Sequence, residues 1–177
     1  MKTVILIIFV VLMGWVQVLF PAQIAPWHII PDSAMLITFG LALYYEPAEQ
    51  VVWYGLLAGL AIDLWLPSTF GTWSLACIIV VLTTRIIHTR LLPQSNWVSI
   101  ITTAALALGA GLLLVAVRVD LVSGLSVFGT GLLRTYLPRL LLDLVLVLPT
   151  VALIRSVLRT LRVTGDTSRI EPHGVRR

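Results

Sequence analysis

Long apolar runs recur along the chain and are broken by short polar turns, a pattern that predicts membrane-spanning helices. Thr3 to Phe20 is interrupted only by Gly14 and Gln17 and follows Lys2; it predicts a first span. A signal peptide is the rival reading. The run exceeds the usual apolar core of such a peptide, and no clear Ala-x-Ala site follows it. Pro21 to Pro31 reads as a loop. Pro31-Asp32-Ser33 then opens a second, short span, Ala34 to Tyr45, with a side-chain oxygen placed to cap the free N–H groups of the helix start. Glu46 to Gln50 is a polar turn.

Val51 to Leu66 reads as the third span, and the brief loop Pro67 to Phe70 forces the next helix to lie antiparallel beside it. The fourth span runs from Gly71 to Ile87 and the fifth from Trp97 to Val117. The fifth is rich in small residues, with Ala105/Gly109 and Ala107/Gly111 each four apart. Arg118 to Gly131 is the longest connection, and the pattern leaves its conformation open. The sixth span, about Leu132 to Ile154, carries Arg134, Pro138, Arg139, Asp143 and Pro149, and Pro149 is expected to kink it. The expected architecture is an all-α integral membrane protein, a compact bundle of six transmembrane helices over residues 1–163. A polar tail, residues 164–177, is expected to be disordered.

Composition narrows the class. Of 177 residues, 59% are hydrophobic and 11% charged, against about 25% charged in soluble domains. Such a chain cannot cover a water-facing surface. The net charge of +4 is concentrated: Lys2, Arg85, Arg90, Arg155, Arg159, Arg162, Arg169, Arg176 and Arg177 fall on one side of a six-span topology, and Arg118, Arg134 and Arg139 on the other. That asymmetry predicts both termini in the cytoplasm. It also makes a basic membrane rim, not a nucleic-acid surface, the account of the positive charge. Trp27, Trp65 and Trp73 fall at the outer rim and Trp53 and Trp97 at the inner. The single Cys77 excludes an internal disulfide and a cysteine metal site.

Candidate chemistry is sparse. His28, His88 and His173 are scattered, and no Gly-x-Ser-x-Gly, His-Glu-x-x-His or phosphate-binding glycine loop is present. No catalytic, cofactor-binding or metal site is predicted, and an enzyme is disfavoured. Two features stand out instead. Gly55, Gly59 and Asp63 recur every fourth residue and share one helix face. The glycines let another backbone approach closely, while an intramembrane carboxylate costs on the order of 2.5–3.5 kcal/mol and must face protein or a polar cavity. This face holds a partner helix or is used inside the chain's own bundle; Asp63 is a proton or ion site, a helix contact, or a cap for the next helix across the turn. The second feature is Arg139 and Asp143, four apart and able to form an intramembrane ion pair on one face.

The stretch Gly55-Leu-x-x-Gly59-Leu-x-x-Asp63-Leu, followed by Pro67, Gly71 and Leu75, resembles the signature of the rod shape-determining protein MreD family. Pro31-Asp32 at the start of a short second span is similar to that family's Pro-Asp/Asn step. The motif match covers residues 31 to 75; the Arg-rich sixth span and tail depart from the family. The resemblance implies a non-catalytic subunit of the bacterial cell-elongation complex in the cytoplasmic (inner) membrane, acting on cell shape through peptidoglycan synthesis. Its implied partners are a bitopic MreC-like protein and, directly or through it, a RodA-type glycosyltransferase and a penicillin-binding transpeptidase. It also implies a fold like the substrate-binding subunits of energy-coupling-factor transporters. The alternative function is therefore a substrate-binding subunit for a vitamin or other small molecule, although the first span lacks the small-residue face such subunits often use.

Overall fold

A computed structural model describes residues 7, 8, 12, 31–45, 48–64, 70–90, 97–123 and 130–160. Five helices lie among them: α1 (Ser33–Tyr44), α2 (Ala48–Asp63), α3 (Thr72–Arg90), α4 (Trp97–Ser123) and α5 (Thr130–Thr160). Three are long and apolar enough to cross a membrane, over Thr72–Thr89, Trp97–Arg118 and Tyr136–Thr160. The chain is a multi-span, all-α membrane protein.

The expected six-helix transmembrane bundle does not hold. The first predicted span, Thr3 to Phe20, lies outside the described residues except for Ile7, Ile8 and Leu12, which are helical. The second is α1, whose 12 residues extend about 18 Å against a hydrocarbon core about 30 Å thick. The third is α2, 16 residues long and about 24 Å, with Glu49 and Gln50 in its first turn. Hydropathy counts a core helix and a lipid-facing helix alike, and α1 is a core helix. Ala34 through Leu43 are all buried, and α1 packs on α2, α3, α4 and α5.

Local chemistry sets the ends of α1. Leu36 N–H bonds the Asp32 carbonyl at 2.9 Å, making Asp32 the residue before the first turn, but its side chain makes no capping bond. At the other end Tyr45 turns extended, with its N–H on the Leu41 carbonyl at 2.9 Å. Pro47 follows two residues on and lacks the N–H a further turn would need. Around this post, Met35, Phe39, Val80, Leu108, Ile154 and Leu158 form an apolar, fully buried centre in which Cys77 is also buried.

The outer helices turn apolar ridges outward. Leu75, Leu82 and Ile86 are exposed on α3, Leu106 and Leu113 on α4, and Leu137, Leu141, Val145 and Leu148 on α5. Their steps of three, four and seven residues are single helix faces, the arrangement a lipid solvent permits and water opposes. Helix α4 continues through Arg118 to Ser123 and α5 starts at Thr130, so much of the connection expected over 118–131 is helical. Helix α5 runs on through Pro138 and Pro149. The tail, 164–177, is outside the described residues.

Candidate functional site

The buried charges of the bundle gather at one end, where α1 and α3 begin and α2 finishes. Leu75 N–H bonds the Gly71 carbonyl at 3.1 Å, so Gly71 occupies the capping position of α3. It sits at φ +83°, a backbone state that glycine adopts without the steric cost of a Cβ. Gly71 has no side chain with which to cap, and Asp63 of α2 supplies the missing oxygens. Its Oδ1 accepts Trp73 N–H at 3.1 Å; its Oδ2 accepts Ser74 N–H at 3.0 Å and the Ser74 hydroxyl at 2.6 Å. These N–H groups are two of the four a helix start leaves unsatisfied, and the carboxylate also meets the positive end of the helix dipole. Asp63 is fully buried and faces protein.

The glycine spacing makes that reach possible. A Cβ on Gly59 would stand 2.2 Å from Ser74 Cα and 2.4 Å from its nitrogen. At Gly55 it would meet Val81 Cγ2 at 3.2 Å and the Cys77 carbonyl at 3.5 Å. The shared face of Gly55, Gly59 and Asp63 is thus occupied by α3 of the same chain, and these glycines are not free to receive a partner helix. Pro67 lies outside the described residues.

The second cluster adjoins the first through Trp73. Arg139 of α5 forms an ion pair with Asp32 at the foot of α1, and its guanidinium carbon lies 5.2 Å from the centre of the Trp73 ring. Asp143 Oδ1 accepts the Asp32 N–H at 2.9 Å. The expected ion pair between Arg139 and Asp143 gives way to one across helices. Arg139 takes Asp32 as its salt-bridge partner, and Arg before the acid is the weaker order for a four-residue pair within one helix. The side chain of Asp32 likewise serves α5 in place of its own helix start.

One chain of polar contacts therefore ties four helices: α2 through Asp63, α3 through Trp73 and Ser74, α5 through Arg139 and Asp143, and α1 through Asp32. Asp32, Asp63 and Asp143 are all fully buried. Trp73 was expected only at the outer rim, and the part played by Ser74 was not foreseen, although Ser74 stands third in a helix preceded by glycine, where a hydroxyl meets a free helix start. Beside this knot, Leu64 after the end of α2 and Phe70 before α3 are 71% and 60% exposed.

The arrangement is suited to holding helices together. No group of three metal-ligating side chains lies among the described residues. His88 is on α3, while His28 and His173 lie outside the described residues. A groove of about 140 Å³ between α4 and α5, lined by Gly109, Leu113, Ala116, Tyr136 and Leu140, is almost wholly apolar. Comparison with protein-family models, curated proteins and solved structures finds no match to the chain.

Proposed function

We propose that the chain is a non-catalytic membrane subunit of the bacterial cell-elongation machinery, of the MreD type, residing in the cytoplasmic membrane. In this reading it docks a single-span MreC-like partner and, through it, serves a RodA-type glycosyltransferase and its penicillin-binding transpeptidase. The observation that carries the reading is convergence. Gly59, Asp63 and Gly71, residues of the MreD-like stretch, act together on the start of α3, at a rim bearing exposed Leu64 and Phe70. A protein that is nearly all membrane helix meets partners through such rims and through lipid-facing helix surfaces.

Two variants separate docking from folding. Asp63→Ala removes three hydrogen bonds from the start of α3 and is expected to lower unfolding free energy by about 1–2 kcal/mol, as lost caps do. Leu64→Ser/Phe70→Ser alters only exposed side chains and is expected to leave stability unchanged. Both are expected to reduce co-purification of the MreC-like partner. Full recovery of that partner by the Leu64/Phe70 variant would remove the docking role from this rim.

The opposite end of the bundle carries Arg85, Arg155 and Arg159, and this end is assigned to the cytoplasm by the excess of basic residues there. A reporter active only in the cytoplasm, fused after Arg177, is expected to give signal. An expressed but silent fusion would reverse the orientation.

A further inference from the structure

The cytoplasmic-type end holds Arg85, Arg155 and Arg159. Arg85 donates to the Tyr45 carbonyl at the close of α1, and the Arg155 guanidinium lies 6.0 Å from the centre of the Tyr44 ring. Stacking uses the face of a guanidinium and leaves its N–H edge open for a phosphate or carboxylate. Arg159 is one turn further along α5, on the same face, and both arginines are exposed. Among the described residues neither forms an ion pair, and Glu49, the described acid at this end, pairs with neither.

Depth identifies the ligand. Trp53 and Trp97 are exposed at this end, 64% and 67%, as ring systems are at the level of lipid headgroups. The apolar window of α5 closes at Thr160, and Leu148, 42% exposed, lies two turns before Arg155 on the same helix face. Two arginine edges therefore stand in the phosphate layer, directly above an apolar surface for an acyl chain. We propose that Arg155 and Arg159 form a binding site for the headgroup phosphate of an anionic phospholipid, with the Tyr44 ring holding Arg155 in place.

The test uses the full chain in phosphatidylcholine nanodiscs with and without phosphatidylglycerol. Melting temperature and the phosphatidylglycerol retained in native mass spectra are read together. The wild type is expected to gain melting temperature saturably with phosphatidylglycerol and to retain it. Arg155→Gln/Arg159→Gln is expected to bind it about 30-fold more weakly, since each of the two basic residues contributes on the order of 1 kcal/mol near a membrane surface. Arg118→Gln, an exposed arginine on α4 away from this end, is expected to behave as wild type. Equal melting in pure phosphatidylcholine checks the fold of the double variant; should it fail, Arg159→Gln alone carries the test, with a partial loss expected. Retention unchanged by the substitutions overturns the proposal. So does equal stabilisation by inorganic phosphate, which would make this a soluble-anion site.

Discussion

Gly59→Ala is expected to unfold the protein more readily by about 3 kcal/mol, the upper end of the range for overpacking a tight interior. The new methyl carbon would lie 2.2 Å from Ser74 Cα and 2.6 Å from the Trp73 carbonyl carbon. Backbone cannot swing aside as a side chain can, so α2 and α3 must separate. Separation also lengthens the bonds from Asp63 to Trp73 and Ser74, each worth about 1 kcal/mol. The control is Gly109→Ala on α4. Nothing lies within 4 Å of the added carbon there, and alanine is the better helix former by about 1 kcal/mol. Unfolding in detergent or bicelles should separate the two variants widely. A Gly59→Ala protein as stable as wild type would mean that α2 and α3 do not meet so closely.

The contrast between those glycines shows what the sequence could and could not reveal. The four-residue spacing of Gly55, Gly59 and Asp63 was enough to place them on one face, because helix periodicity is local. Which helix filled that face was not local information. The short loop after Asp63 put α3 beside α2, yet a partner helix from another protein remained equally compatible with the pattern. Gly109 and Gly111 carry the same ambiguity. They are alike in sequence, but Gly111 packs against Val80 and Met35, whereas Gly109 is open.

The same limit explains the error over α1. Its apolarity was legible and its surroundings were not, because Leu and Phe are equally content beside lipid and beside protein. Its length of 12 residues was the available warning, since apolar helices of 10–14 residues are more often buried core elements than spans. The buried charges failed differently. Arg139 and Asp143 satisfied a local pairing rule, and the long-range partner, Asp32, lies 107 residues away from Arg139. Its use could be suspected only by asking what balances an acid at the foot of a buried helix.

Arg139→Met tests that long-range tie most severely. Arg139 is the cation placed against Asp32, while Asp143 receives the Asp32 N–H from the other side. Removing one member of a buried pair leaves the other charge uncompensated, at a cost of about 3–5 kcal/mol, and here the contact with Trp73 is lost as well. Replacing both members behaves differently, because the desolvation cost of the pair disappears with it. Asp32→Asn/Arg139→Met is therefore expected to recover more than half of the loss. Asp143→Asn keeps an oxygen for the Asp32 N–H and is expected to change stability by less than either single substitution at the ion pair. Unfolding free energies of Arg139→Met, Asp32→Asn, the double variant and Asp143→Asn, measured in the same bicelles, decide the matter. A double variant no more stable than Arg139→Met would show that the arginine acts through its packing on Trp73 and not through the carboxylate at the foot of α1.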